Sequence, residues 1–185
     1  METLSLKVVG LSGSLNENSR TTIALQQCLS FIEASGHSTH LFDLKTKNIP
    51  FFSEANRQVS LTAQAMIDEI RTADALIIAT PEYHGSYSGV LKNALDYLTK
   101  SEVETKAIGL IGVGAGQYGG YSAIDALANV MKTLHGIVLP LQVSLSNSHV
   151  VIQNNQVQCE KHSYRLKLLA EQVIHYSGKL RNRAA

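Results

Sequence analysis

Small hydroxyl and amide residues follow an apolar run near the start of the chain. Residues 6–11 are mostly valine and leucine, and Ser12, Gly13 and Ser14 come directly after them. Ser19 then precedes apolar positions with helical spacing over residues 21–34, which makes it a candidate N-cap. A strand–loop–helix junction directs backbone N–H groups and a positive helix end at one point, where a phosphate can bind. An ordinary turn uses the same residue types, so both interpretations stay open.

A second loop with possible chemistry covers residues 81–89. Pro81, Gly85 and Gly89 predict an irregular backbone whose N–H and C=O groups stay free for a ligand. Tyr83 offers a flat apolar wall. His84 could serve as an acid or base, or simply as a surface residue that forms hydrogen bonds.

A third loop matches the dinucleotide fingerprint G-x-G-x-x-G at Gly114, Gly116 and Gly119. Two observations argue against a nicotinamide dinucleotide site there. The motif follows the fourth predicted strand rather than the first, and residues 129–158 contain none of the acidic residues that would bind a ribose. We therefore predict that these glycines let the backbone approach a flat ligand closely.

The elements that must position these loops alternate along the chain. The hydrophobic pattern predicts strands at residues 6–11, 38–44, 75–80, 107–113 and 137–143. It predicts helices at residues 21–34, 61–70, 90–98, 122–134 and 164–180. The polar segment 45–58 is predicted to be a loop with an aromatic tip. The pair Asn154-Asn155 is predicted to form the turn of a small hairpin. This alternation predicts a doubly wound α/β fold, whose ligands bind at the carboxyl ends of the strands.

Composition excludes several classes of protein. The chain has 185 residues, 44% of them hydrophobic and 17% charged, which fits one globular domain over residues 1–185. Its formal net charge of +1 offers no field for nucleic acid or an anionic membrane. No segment has the ~18 apolar residues of a membrane span, and no signal-peptide pattern opens the chain, so we expect a cytoplasmic protein. The two cysteines lack zinc spacing, and we expect reduced thiols and no metal.

Two motifs together resemble a known family. GSLNENSRT at residues 13–21 and PEYHGSYSGVLKNALD at residues 81–96 are similar to motifs of the NADPH-dependent FMN reductases, a family of bacterial flavin, quinone, azo-dye and chromate reductases. The resemblance covers roughly residues 5–180. It implies a flavodoxin-like fold with a five-stranded parallel sheet in the order 2-1-3-4-5 and helices on both faces.

The resemblance also implies which residues bind FMN. The phosphate would be held in the first loop, by Ser12, Ser14, Asn16, Ser19, Arg20 and Thr21. The isoalloxazine would be lined by the second and third loops, through Pro81, Glu82, Tyr83, His84, Gly85, Gly114, Gly116 and Gln117. The family commonly has Arg at the position of Asn16, Asn at that of His84 and Pro at that of Ser88, so the phosphate would rely more on neutral donors, and substrate preference stays open.

The implied function is that of an FMN-dependent NAD(P)H oxidoreductase. NADPH or NADH would reduce the flavin, and an acceptor such as free flavin, a quinone, an azo compound or a metal oxyanion would then take its place in the same cleft. The three loops show no catalytic triad or carboxylate pair, which suits a cofactor that performs the chemistry itself. The resemblance suggests a homodimer or homotetramer. Two alternatives remain: a flavodoxin-type electron carrier, although flavodoxins are strongly acidic, and a nucleotide-binding module that uses the loop at Gly114.

Overall fold

A mostly parallel sheet forms the centre of the structure, a computed structural model that describes residues 5–55 and 59–184. Its strands are β1 (Lys7–Ser12), β2 (Ser38–Asp43), β3 (Ala75–Tyr83), β4 (Ser86–Tyr87), β5 (Ala107–Val113), β6 (Ile137–Val138) and β7 (Val143–Leu145). The order is β2-β1-β3-β5-β6, with β4 paired to β3 and β7 to β5. The predicted order 2-1-3-4-5 is confirmed. The fourth predicted strand corresponds to β5, and the fifth corresponds to β6 together with β7.

Helices cover both faces of this sheet, as predicted. They are α1 (Arg20–Ala34), α2 (Leu61–Thr72), α3 (Gly89–Leu95), α4 (Lys100–Val103), α5 (Tyr121–Thr133), α6 (Ser148–Val151) and α7 (Glu160–Ala184). Apolar side chains of α1 and α7 form one buried core against the sheet. Those of α2, α3 and α5 form a second core on the opposite face. No helix in the described residues combines the length and apolarity needed to span a membrane.

Helix α1 begins and ends where its sequence indicates. The Ser19 side chain accepts a hydrogen bond from the N–H of Thr22, which confirms the predicted N-cap. Past the C-cap Ser35, Gly36 adopts a φ of +83°, a conformation that favours glycine. Both ends depend on residues within one turn, so local sequence is enough to predict them.

The predicted continuous strand at residues 137–143 is wrong. The chain pairs with β5 at Ile137–Val138, leaves the ladder, and pairs again at Val143–Leu145. Pro140 lies in the gap, and proline cannot donate a ladder hydrogen bond. The edge of the sheet is therefore interrupted.

The predicted irregular backbone at residues 81–89 is also wrong. Strand β3 continues to Tyr83 and returns as β4, with Glu82 opposite Tyr87. His84 (φ 51°) and Gly85 (φ 76°) form the turn in left-handed conformations, as tight hairpins require. The predicted hairpin at Asn154-Asn155 is confirmed: β8 (Ile152–Gln153) and β9 (Gln156–Val157) flank these two residues.

The polar segment after β2 is a loop as far as it is described, and residues 56–58 of it lie outside the described part. Its aromatic tip packs on the neighbourhood of α3: the Phe52 ring meets Tyr97 edge-on at a centroid distance of 5.2 Å. The Asn93 side chain accepts from the N–H of Phe52 and donates to the carbonyl of Pro50. These contacts hold the segment against the second core.

Both cysteines are free thiols. Cys28 is fully buried on α1, where its Sγ donates to the carbonyl of Leu166 at 3.4 Å. Burial raises the pKa of the Cys28 thiol to about 12, so this side chain stays protonated and unreactive.

A buried carboxylate joins α4 to α2. Glu102 accepts hydrogen bonds from the N–H and hydroxyl of Thr99, from the hydroxyl of Ser101, and from the guanidinium of Arg71. Burial alone would raise the pKa of Glu102, but these hydrogen bonds outweigh it and lower the pKa from 4.5 to about 2. The ionised form therefore stabilises the folded state.

We expect Glu102→Gln to reduce the free energy of unfolding at pH 7 by about 3 kcal/mol, since each unit of pKa shift corresponds to about 1.4 kcal/mol. The Glu102 contribution is fully present above pH 4.5 and is lost as the pH falls towards about 2. Urea unfolding at several pH values measures it. Glu104→Gln, at an exposed neighbour, is the matched control. A loss that stays the same at pH 7 and at pH 3 would contradict this account.

Candidate active site

The three loops with possible chemistry follow neighbouring strands of the sheet. Segment 13–19 follows β1, the turn at residues 84–85 ends β3, and segment 114–120 follows β5. Because β1, β3 and β5 are adjacent and parallel, all three loops emerge at one edge. The strand order reverses between β1 and β3, where open α/β sheets bind their ligands.

The hydroxyl groups of the first loop are buried and already bonded within the protein. The Ser12 hydroxyl lies 2.8 Å from that of Thr22, and the Ser14 hydroxyl accepts from the N–H of Asn16. The Ser19 hydroxyl accepts from the N–H of Thr22. A serine that accepts one hydrogen bond keeps its own proton free to donate, so Ser14 and Ser19 remain available as donors.

Free backbone donors surround these hydroxyls. The N–H groups that find no acceptor among the described residues are those of Ser14, Leu15, Glu17, Ser19, Arg20 and Thr21. The last two open α1, so the positive end of the helix faces the same loop. Such a set of donors fits a phosphate dianion.

The two predicted residues with long side chains contribute less to this loop. The Asn16 side chain accepts from the N–H of Asn18 at 2.9 Å, which stabilises the loop itself. Arg20 is exposed and forms no ion pair with any described residue. The donors of the loop itself are therefore hydroxyl and N–H groups without formal charge. One cation, Lys45, lines the pocket beside this loop, where its Nζ lies 3.9 Å from the carboxylate of Glu17.

Ser88 joins the first loop to the second, and the sequence analysis missed this role. Its hydroxyl donates to the carbonyl of Gly13 at 2.5 Å and caps α3 by accepting from the N–H of Leu91. Its N–H donates to the hydroxyl of Thr80 at 3.1 Å. A proline here would lack that N–H. A serine before a helical pattern indicated the cap, but no local feature indicated Gly13 as a partner.

The hairpin of β3 and β4 presents the second loop. Pro81 is buried, whereas Tyr83 is 53% exposed at the tip. His84 and Gly85 are exposed, and their N–H groups meet no acceptor in residues 5–55 and 59–184. The tip therefore offers two free donors and one flat aromatic side chain, while Tyr87 packs against the second core.

Glu82 has a contact that the sequence did not indicate. Its carboxylate accepts from the N–H of Ala123 at 3.1 Å, in the first turn of α5. The N-cap of α5 is Gly120, which offers no side chain for capping. The carboxylate of Glu82 therefore stabilises the positive end of α5 and holds the third loop beside the hairpin.

The glycines of the third loop have different roles. A Cβ on Gly114 would lie 2.1 Å from the carbonyl oxygen of Gly119, and one on Gly120 would lie 2.3 Å from the carbonyl carbon of Gly112. These glycines permit close packing of the loop on itself. A Cβ on Gly116 would meet nothing within 4 Å. Of Gly114, Gly116 and Gly120, only Gly116 is exposed and leaves room for a ligand. The N–H groups of Gly116 and Gln117 meet no described acceptor.

The site thus offers neutral donors in the first loop, an exposed aromatic side chain on the second loop and an open glycine backbone on the third. No group of described His, Cys, Asp and Glu side chains could hold a metal ion. This arrangement fits a ligand with a phosphate at one end and a flat ring at the other, as in FMN.

Sequence comparison decides the family. The profile of the NADPH-dependent FMN reductases matches residues 6–150. This chain belongs to that family. It is 30% identical to an NADPH azoreductase of Bacillus sp. over 146 residues, which cover 78% of this chain and 79% of the relative. It is 28% identical to an FMN-dependent NADPH-azoreductase of Staphylococcus saprophyticus over 184 residues, which cover 92% and 95% of the two chains.

Solved structures share the fold of this reductase. The flavoenzyme NAD(P)H:(acceptor) oxidoreductase FerB of Paracoccus denitrificans superposes with a TM-score of 0.80 at 21% identity, over 94% of this chain and 98% of that chain. A flavodoxin from the domain Archaea gives a TM-score of 0.66 at 14% identity, over 93% and 99%. At such identities the likeness concerns the fold alone, which is flavodoxin-like as predicted.

Family membership makes this chain an FMN-dependent NAD(P)H oxidoreductase. The resemblance stated from the two sequence motifs is confirmed, and so are the predicted cofactor FMN and the nicotinamide co-substrate. The family match favours the enzyme over both alternatives, the electron carrier and the nucleotide-binding module.

Proposed function

We propose that this reductase passes electrons from NAD(P)H to small aromatic acceptors such as azo compounds and quinones. The observation that carries the proposal is the pair of features that suit flat molecules: the exposed ring of Tyr83 on one loop and the open, exposed backbone at Gly116 on the next. Two relatives named as azoreductases support it. Free flavin and metal oxyanions are the other acceptor classes to compare.

The residues of the site would act by binding and orienting. When bound, FMN supplies the hydride chemistry. Ser14, Ser19 and the free N–H groups at the start of α1 would hold its phosphate. The N–H groups of His84 and Gly85 would donate to the polar edge of the ring, and Tyr83 would cover one side of the cleft. Ser88 and Glu82 would keep the three loops together.

We also propose that the whole chain forms one FMN-binding domain, that it is cytoplasmic, and that it assembles as a homodimer or homotetramer. The exposed apolar side chains of Phe51 and Leu61, each 90% exposed, support assembly because large apolar groups on a surface favour association. Sedimentation equilibrium measures the mass of the particle. A monomer at all concentrations would contradict the proposed assembly.

The proposed function predicts ping-pong kinetics, because one cleft must serve donor and acceptor in turn. Initial rates with an azo dye, a quinone and free FMN, each against NADPH and NADH, should give parallel double-reciprocal lines for the true acceptor class. Protein stripped of FMN should lose turnover and regain it when FMN is added. Intersecting lines together with a trapped ternary complex would count against the single cleft, and turnover with free flavin alone would remove the aromatic-acceptor proposal.

A further inference from the structure

A second cleft lies on the outer side of the glycine loop, beneath the interrupted edge of the sheet. It has a volume of about 510 Å³ and runs from Tyr121 at the start of α5, past Pro140 and Gln142, to α7. Residues 140–142, which lie in the break between β6 and β7, form part of its lining. Its size falls within the roughly 300–1,000 Å³ of small-molecule sites.

The charged side chains that line this cleft are both positive. Lys161 and Arg165 stand one turn apart on α7, and no acidic residue of the described part of the chain lines the cleft. Neither cation forms an ion pair with a described residue. One guanidinium nitrogen of Arg165 donates to the carbonyl of Gln142 at 2.8 Å, which fixes its position and leaves other N–H groups free. Burial and these two cations lower the pKa of the adjacent His162, in accord with a positive field.

This cleft shares a wall with the flavin site. The hydroxyl of Ser144 lines the cleft, accepts from the N–H of Gly120 at 3.0 Å and donates to the carbonyl of Tyr118 at 3.3 Å. Two hydrogen bonds therefore join the wall of this cleft to the glycine loop of the candidate flavin site. The ring of Tyr121, 67% exposed, stands at the entrance, where a base could stack on it.

We propose that this cleft binds the adenosine half of NADPH, with Lys161 and Arg165 paired to its 2′-phosphate. The inference rests on the proposed function, because it places the rest of the same co-substrate beside the flavin cleft. Paired cations on one helix face bind a phosphate through charge-assisted hydrogen bonds. NADH lacks the 2′-phosphate, so the pair makes the enzyme prefer NADPH.

The test measures binding as well as turnover. Adenosine 2′,5′-bisphosphate and 5′-AMP are titrated into the FMN-loaded protein by calorimetry, for the parent, Lys161→Gln and Lys167→Gln. Lys167, on the same helix, lines a separate groove with Phe31 and Tyr164 and serves as the matched control. We expect Lys161→Gln to weaken the bisphosphate and to raise the KM for NADPH by about tenfold each, with 5′-AMP and the KM for NADH unchanged. Arg165→Lys keeps the charge and should retain most of the affinity.

Several outcomes would overturn the inference: equal affinity of the parent for the bisphosphate and 5′-AMP, equal effects of Lys161→Gln and Lys167→Gln, or the same change in KM for both nicotinamides. The two proposals fail separately. A protein that reduces azo dyes and quinones but shows no effect of Lys161→Gln keeps its proposed function and loses this site. A protein that binds the bisphosphate through Lys161 without turning over aromatic acceptors keeps the site and loses the proposed acceptor.

Discussion

Ser19→Asp is expected to weaken FMN binding about a hundredfold or more while leaving the apoprotein as stable as the parent. Aspartate is as good an N-cap as serine, and its charge suits the positive end of α1. The same carboxylate would oppose the phosphate, and Lys45, the cation that lines this pocket, is already paired with Glu17. Ser19→Ala removes one donor and should weaken FMN by roughly tenfold to a hundredfold, with about 1 kcal/mol lost from stability.

Dissociation constants for FMN and for riboflavin separate this effect from damage to the fold. Riboflavin lacks the phosphate, so its affinity should change far less with either substitution. Ser60→Asp is the matched control, because Ser60 caps α2 in the same way, by accepting from the N–H of Ala63. If Ser19→Asp binds FMN as tightly as the parent does, the phosphate does not lie at this loop.

Gly114→Ala and Gly116→Ala should separate packing from ligand contact within one motif. The Cβ of alanine at position 114 would overlap backbone atoms of Gly119, which have no freedom to move aside. We expect Gly114→Ala to lower stability by about 3 kcal/mol, and hence Tm by roughly 6–12 °C. Gly116→Ala meets open space, so it should leave Tm within about 2 °C of the parent.

For FMN binding we expect the opposite result from that for stability, with Gly116→Ala as the more damaging substitution. If Gly116 faces the flavin ring, its new methyl group occupies ligand space and lowers FMN affinity about tenfold without loss of stability. Thermal unfolding of the apoprotein and titration with FMN measure the two effects independently. If both variants lose the same amount of stability, the close contact of Gly114 with Gly119 is not the reason that glycine is needed at position 114.

Local sequence predicted the elements that local interactions determine. The N-cap Ser19, the end of α1 at Gly36 and the turn Asn154-Asn155 each depend on residues within one turn. The ion pair between Lys92 on α3 and the C-cap residue Asp96, at 2.6 Å, likewise joins neighbours four positions apart. Buried parallel strands such as β3 and β5 were predicted as continuous apolar runs.

The errors arose where competing patterns overlapped. The strand at residues 137–143 was predicted to be continuous because the segment is apolar, although Pro140 within it indicates an interruption. At residues 81–89 the glycines indicated an irregular loop, although the dipeptide His84-Gly85 between pairing residues is a hairpin turn. The proline and the x-Gly pair were the indications that could have corrected both predictions.

The contacts that assemble the site could not be predicted from sequence. Ser88 meets Gly13 across 75 positions, and Glu82 meets Ala123 across 41. Such contacts depend on how elements distant in sequence pack together. The residue types serine and glutamate do not indicate which distant residue they will contact. The loops of the site could thus be predicted from the sequence, whereas the hydrogen bonds between those loops could be identified only from the structure.

The interrupted edge strand has a consequence for association between molecules. An intact strand at the border of a sheet exposes a row of N–H and C=O groups to which another chain can add. Here the row is broken at Pro140 into the short pieces Ile137–Val138 and Val143–Leu145. These short pieces offer a second copy little edge to extend, so we expect any assembly at this border to form mainly through side chains. The same break protects the folded protein from fibril-like growth at this edge.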